Sequence, residues 1–394
     1  MTSSSIGVAV IGAGMAGRAH CAGYRTAPTL VDPPLPPQRH VAVVDANEGV
    51  AKDAATRYGF EKALTDWHEL LDDDSINVVS IVVANQLHRP IAEALLAAGK
   101  HVLSEKPLSS SLEDARAMVA TAEAHPDQVA GCGFVYRRQP AVAAIKDLLD
   151  SELGEVSHFN GRYWCDYARS SQTPMSWRYK GAPGTGALAD IGSHLIDLAE
   201  FVCGPLTSVS GAAFTTKVKQ RALALGTTYG HARAELSDVV EPVENDDVAT
   251  FTAHFANGAV GTFSISRVAP GHANSLAFDL MAKHGGAKWD MDRPAEFSVV
   301  RQLRGDGFDG YNQVLAGPAH PYVRGGLPMD FPGCSYGVGD LFGYQARAFL
   351  EQVAGIEGGL PPVASFEDGL RDLTIIDAVT RSAAQGGATV DVSR

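Results

Sequence analysis

Apolar and polar positions change their period along the chain, and that change divides it. Up to about residue 135, compact apolar runs at 6–11, 40–44, 76–83, 101–104 and 128–133 alternate with amphipathic stretches. Near-continuous apolar runs with helices between them mark parallel strands buried on both faces. The helical stretches are 18–25, 49–58, a short one from Asp66 to 71, 90–98 and 112–125. Gly59 and Gly99 stop two of them and Pro90 opens one, the usual helix punctuation. The alternation reads as a doubly wound α/β sheet.

Beyond that point the texture differs. A helix is expected at 140–149 and a strand at 156–166, followed by a polar, glycine-rich loop at 170–186. A helix at 188–203, ended by Gly204-Pro205, precedes strands at 209–216, 248–255, 258–268, 275–282 and 295–302. Asn257-Gly258 is a strong hairpin signal, and Gly285-Gly286 reads as a second turn. This pattern predicts a large, mostly antiparallel open sheet covered by helices on one face. Residues 305–339 read as a long Gly/Pro/Tyr-rich loop, and helices at 340–353 and 366–384 close the chain. The expected division is a dinucleotide-binding domain at 1–135 and an α+β substrate and oligomerisation domain at 136–394, with room for the C-terminal helix to pack back on the first.

Composition narrows the class. With 394 residues, 45% hydrophobic and 20% charged, the chain is a globular protein of two-domain size. No apolar run approaches the length of a membrane span, and residues 1–5 run into the first strand without a basic n-region or a small-residue cleavage site, so no leader is expected. Five scattered cysteines without a Cys-x-x-Cys pair are the usage of a reducing compartment, so the cytoplasm is expected. A net charge of −13 offers no basic stripe for a nucleic-acid partner.

The chemistry sits at strand ends. Gly12-Ala13-Gly14-Met15-Ala16-Gly17 has G-x-G-x-x-G spacing directly after the first strand and opens a helix. In this Rossmann context Gly12 makes the tight turn, Gly14 admits a pyrophosphate, and Gly17 packs helix on strand. Two acids compete to hold the ribose. Asp32 has the better distance, but it opens a run of prolines where no central strand can lie. Asp45 follows the strand 40–44, and a proline-rich loop at 27–38 accounts for the extra length. Asp45 is therefore the choice. With no arginine after it in Ala46-Asn47, NAD is favoured over NADP.

The strand His101-Val102-Leu103-Ser104 ends in Glu105-Lys106-Pro107, which puts a lysine where open α/β sheets bind ligands. A cis Lys106-Pro107 bond is one way to aim its ammonium group. On the helix from 188, Leu188, Ile191, Leu195, Leu198 and Val202 form a core-facing stripe, and Asp190, His194 and Asp197 form a polar one beside it. Asp190 and His194 are four apart, so a carboxylate meets an imidazole, a pairing suited to proton transfer and equally to helix stabilisation. A metal is not expected, because no second histidine stands at helical spacing.

These stretches together resemble the Gfo/Idh/MocA oxidoreductases. The resembling residues are the glycine loop with Ala19-His20, Glu105-Lys106-Pro107, Gly133-Phe134-Val135-Tyr136-Arg137, and the run from Gly186 to His194. They keep the family's order, and the resemblance covers the whole chain. It implies that Lys106, Asp190 and His194 are catalytic and line the substrate pocket, with Tyr136, Tyr163 and Asp166 as further walls beside Tyr179 and the 305–339 loop. It implies that Ala84, Asn85, His88, Glu105, Lys106, Trp177 and Arg178 surround the nicotinamide end of NAD, while Gly12, Ala13, Gly14, Met15, Ala16 and Asp45 hold the rest. It also implies a homo-oligomer, dimer or tetramer, through the C-terminal sheet. Val135 stands where the family often has Asn, and the proline-rich loop is an insertion in many comparisons; neither touches the catalytic set. The implied activity is NAD-dependent oxidation of a secondary alcohol on a sugar, an anhydrosugar of levoglucosan type or a cyclitol of inositol type. The alternatives are an NAD-dependent glycosidase of the same fold and a sensor that binds NAD and sugar without turnover.

Overall fold

A computed structural model of the chain describes residues 5–30, 33–226, 234–301, 305, 309–317, 320, 322, 331–332 and 336–392. Asp32, Cys334 and about half of the 305–339 loop lie outside these residues. The chain divides into two compact units, Met1–Gln139 with Gly317–Leu370, and Pro140–Ala316 with Arg371–Arg394.

The first unit begins with β1 (Ile6–Ile11), α1 (Met15–Thr26), β2 (Gln38–Val44), α2 (Glu48–Tyr58) and β3 (Lys62–Leu64). It continues with β4 (Val78–Ile81), α3 (His88–Ala97), β5 (His101–Ser104), α4 (Leu112–Ala124) and β6 (Ala130–Cys132). The strands lie in the order β6-β5-β4-β1-β2-β3, all parallel. Every residue of β1 and β4 is buried, which is why their sequences run apolar instead of alternating. Successive strands leave β1 in opposite directions, so the switch point lies between β1 and β4. Side chains cap the starts of α2 and α4: Asn47 accepts from Val50 N, and Ser111 from Asp114 N. β3 carried no signal of its own, being three residues at a sheet edge.

The second unit opens with α5 (Pro140–Leu148), β7 (Val156–Cys165), α6 (Ser193–Cys203), β8 (Leu206–Thr215), β9 (Gln220–Ala224) and β10 (Leu236–Pro242). Then come β11 (Val248–Phe255), β12 (Val260–Ser266), β13 (Asn274–Ala282), β14 (Gly285–Asp290), β15 (Glu296–Arg301) and β16 (Asn312–Leu315). The large sheet runs β16-β15-β14-β13-β7-β12-β11-β8, antiparallel throughout except for the parallel pair β7–β12. α6 packs on β7, and α5 on β14 and β15. Beneath them lies an aromatic core with Phe159, Phe251, Phe263 and Phe278, the rings of Phe251 and Phe263 stacked at 4.4 Å.

Three expectations for this unit are corrected. Gly285-Gly286 is not a turn but the start of β14, and the reversal falls on Lys283 and His284. Gly285 is needed there because a Cβ would stand 2.0 Å from the Val300 carbonyl oxygen. The 305–339 stretch contains a strand, β16, whose short exposed sequence gave no alternation signal. The helix expected at 188–203 begins with a π-helical turn, Leu188–Gly192, before α6 proper. The two-stranded β9–β10 ribbon, absent from the sequence reading, alternates poorly because it stands outside the large sheet.

The chain then adds α7 (Val338–Val353), β17 (Ala364–Ser365), α8 (Phe366–Ala384) and β18 (Val390–Asp391). α7 packs on α1. β17 pairs antiparallel with β6 as the seventh strand of the first sheet, and β18 pairs with β8 as the ninth of the second. A single cut after residue 135 thus gives way to two crossings back: α7 belongs to the first unit, and the division falls within α8, most of which belongs to the second. Among the described residues, no helix is long and apolar enough to cross a membrane.

Candidate active site

In the first unit the glycine loop joins β1 to α1. Gly12 takes φ +96°, and a Cβ there would meet the Val82 carbonyl oxygen at 2.0 Å. At Gly17 a Cβ would lie 1.8 Å from the Gly12 carbonyl oxygen, so the helix can approach the strand only as glycine. Around Gly14, the N-cap of α1, no atom lies within 4 Å of the Cβ position. The open space faces the first turn of a helix, whose N–H groups and dipole favour a phosphate. Met15 beside it is exposed. Asp45 leaves the end of β2 and meets the loop: its Oδ2 accepts from Ala13 N at 2.9 Å and its Oδ1 from Asn47 N at 2.9 Å. A glycine cradle with a carboxylate at its rim fits a dinucleotide.

The ends of β4 and β5 supply the next group. Ala84 caps the short helical turn Asn85–Leu87, and both Ala84 and Asn85 are half-buried. His88 is fully buried, its Nδ1 3.2 Å from the Leu108 carbonyl oxygen and its Nε2 3.1 Å from that of Val83. The ring lies between the turns after β4 and β5, and in its neutral form its one N–H donates to one of these two carbonyls. Burial holds its pKa below the ordinary histidine value. Lys106, half-buried, follows β5, and the Lys106–Pro107 bond is cis. Glu105 is buried, with Oε1 3.0 Å from His20 Nε2 and Oε2 accepting from Lys106 N at 3.2 Å. Burial by itself would raise its pKa, but the His20 hydrogen bond and the charges of His20 and Lys106 together carry it below the usual range. Tyr136 is buried in the turn Val135–Arg138.

In the second unit Asp190 lies on the π turn and His194 in the first turn of α6. π turns recur at functional sites. Tyr167 donates to Asp190 Oδ2 at 2.5 Å. Burial, then the Asp190 charge, keeps the Tyr167 hydroxyl protonated far above the ordinary tyrosine range. The Tyr163 ring stands 6.2 Å from that of His194, and its hydroxyl donates to Asn274 Oδ1 at 2.8 Å. Asp166 is half-buried at the end of β7. Trp177 is exposed, with the Arg178 guanidinium 4.5 Å from the ring centroid. Tyr179, expected in a pocket wall, is buried with the guanidinium groups of Arg221 and Arg267 at 4.0 and 4.8 Å from its ring centroid.

A buried polar tripeptide holds these pieces. Asp246 Oδ1 accepts from Gly184 N (2.8 Å) and Gly186 N (3.0 Å), and its Oδ2 from Leu188 N (2.9 Å). Gly186 permits this, since a Cβ would stand 2.1 Å from the Asp246 carbonyl oxygen. Asn245 donates to the carbonyls of Arg178 and Lys180 at 3.0 and 3.1 Å. Asp247 forms a fully buried ion pair with Arg267 at 2.8 Å. Sequence reasoning missed Tyr167, Asn245, Asp246 and Asp247. Its one available signal was two adjacent acids running straight into an apolar strand, where an unsatisfied charge would be costly.

Residues 6–132 match the family described as "Oxidoreductase family, NAD-binding Rossmann fold", and residues 142–288 match the "GFO/IDH/MocA C-terminal domain". The chain is 36% identical over 391 residues to levoglucosan dehydrogenase of Pseudarthrobacter phenanthrenivorans, covering 97% of each chain. It is 29% identical over 253 residues to scyllo-inositol 2-dehydrogenase (NAD(+)) of Bacillus subtilis, 64% of this chain and 66% of that one. A structure of levoglucosan dehydrogenase in complex with NADH and levoglucosan superposes with a TM-score of 0.89 at 33% identity, covering 99% of this chain and 100% of the other.

Proposed function

Since this chain belongs to the Gfo/Idh/MocA family of NAD-binding oxidoreductases, we propose that it oxidises a secondary alcohol on a sugar, anhydrosugar or cyclitol ring, with levoglucosan the first candidate. The observation that carries the reading is the place of Lys106. It follows β5, two strands from β1 on the carboxyl edge of the sheet whose β1 end carries the glycine loop, roughly 10 Å away at the usual strand spacing. NAD, when bound, supplies the ring carbon that takes the hydride from the carbinol carbon. Lys106 donates a hydrogen bond to the oxygen as it gains charge. His194 accepts the hydroxyl proton, since an imidazole titrates near the working pH. Asp190 orients that imidazole, and the Tyr167 hydrogen bond fixes the carboxylate in turn. Tyr136, Tyr163 and Asp166 make polar walls, and Ala84, Asn85, Trp177 and Arg178 bound the nicotinamide end. We also assign a homo-oligomer through the large sheet.

The test is NADH formation from NAD with levoglucosan, L-sorbose and scyllo-inositol, beside the Lys106→Ala variant. Stoichiometric NADH from a polyol is expected, with turnover lowered about a hundredfold or more in the variant. Tight NADH binding without turnover of any polyol would instead make the protein a sensor. Glycoside cleavage without NADH accumulation would make it a glycosidase.

A further inference from the structure

Behind Lys106 lies a chain of buried polar groups that the proposed reaction does not use. His20, on α1, is 2% exposed. Its Nε2 stands 3.0 Å from Glu105 Oε1 and its Nδ1 3.0 Å from Ser80 Oγ, which lies 2.8 Å from the Tyr24 hydroxyl. An ionised Glu105 can only accept, so Nε2 carries the proton and donates to it, while Nδ1, Ser80 Oγ and the Tyr24 hydroxyl make the two remaining hydrogen bonds of the chain. The second carboxylate oxygen takes the Lys106 backbone N–H. Glu105 also fits against Gly133, where a Cβ would stand 2.7 Å from Oε1. Three elements of the first unit therefore converge on one carboxylate: α1, which begins at the glycine loop, β4 through Ser80, and β5, which ends at Lys106.

We propose that His20 is a positioning residue for Lys106, clamping Glu105 so that the β5 terminus is fixed to the helix that opens at the cofactor loop. This rests on the reading of Lys106 as the residue that meets the substrate oxygen. A ring without nitrogens at position 20 strands a buried carboxylate oxygen, and the Lys106 amide loses a fixed acceptor with it. An amide side chain of similar reach can still donate to Glu105 and accept from Ser80.

The experiment compares wild type, His20→Phe, His20→Gln and Lys106→Ala. Hydrogen exchange of the peptide containing Glu105 and Lys106 is followed by mass spectrometry, NADH binding by fluorescence, and kcat and KM with levoglucosan. In His20→Phe the peptide should exchange at least tenfold faster and kcat fall at least tenfold, with NADH affinity and KM for NAD within about threefold. His20→Gln should restore most of both. Unchanged exchange in His20→Phe overturns the inference, and so does unchanged turnover while Lys106→Ala is inactive. If Lys106→Ala itself retains turnover, the reading of Lys106 falls instead. Should His20→Phe not fold, Glu105→Gln reads the same contact, because an amide replaces one acceptor with a donor. Faster exchange is expected there as well, and unchanged exchange overturns the inference.

Discussion

Asp45 illustrates how one carboxylate serves two ends. It ties the glycine loop through Ala13 N and caps its own turn through Asn47 N, which leaves it half-buried at the rim of the cradle. Asp45→Ala is expected to weaken NADH binding about tenfold or more, the scale of a hydrogen bond to a charged group. It should also relax discrimination against NADPH, since the carboxylate repels a 2′-phosphate; fluorescence titration with both nucleotides measures it. A wild-type protein that prefers NADP would remove Asp45 from this role. The proton acceptor is decided by the pH–rate profile of alcohol oxidation. A general base must be deprotonated, so turnover falls as pH drops through its pKa. His194→Ala should lose most turnover and its acidic limb together. An unchanged limb with most of the turnover kept would make Lys106 the base. His88, placed near the cofactor by resemblance, is buried with one ring nitrogen beside each of two backbone carbonyls, between the turns after β4 and β5.

At the scale of elements, the turn at 184–188 and the π turn after it depend on an acid about 60 residues away. Asp246 alone accepts three buried backbone N–H groups, from Gly184, Gly186 and Leu188. Removing it leaves donors that cost about 1–3 kcal/mol each when unsatisfied. Asp246→Ala should therefore lose on the order of 3 kcal/mol of stability or more, read by denaturant unfolding. Asp246→Asn should lose less but lower turnover, because an amide nitrogen cannot accept and the turn bearing Asp190 shifts. A variant with wild-type stability would show that water replaces the carboxylate there. The proline-rich insertion is held differently. Arg347 of α7, fully buried, donates to the carbonyls of Leu30 (2.8 Å) and Pro33 and pairs with Glu351. Shortening 33–37 should alter NAD affinity or assembly while turnover at saturating NAD persists. Lost turnover with normal NADH binding would place the insertion in the chemistry.

For the whole molecule, the large open sheet is the expected contact between copies, and Met281 and Leu315 are exposed on two of its strands. Charged replacements at both, Met281→Glu with Leu315→Glu, should lower the mass measured by light scattering; an unchanged mass would move the contact elsewhere. What the sequence determined alone is what local chemistry encodes. The apolar runs of β1, β2, β4 and β5, the glycine loop, the hairpin at Asn257-Gly258 and α8 all follow from period, capping and turn residues read within a dozen positions. Lys106 at a strand end and Asp190 and His194 on one helix face stand out by the same local signals. Tertiary structure decided the rest. β3, β17 and β18 are two- or three-residue strands that exist because a neighbouring edge is there to pair with. The return of α7 to the first unit, the tie of His20 to Glu105 across 85 positions and the grip of Asp246 on the 184–188 turn are long-range contacts. A buried charge must find partners wherever the fold brings them, and such partners leave no period in the sequence.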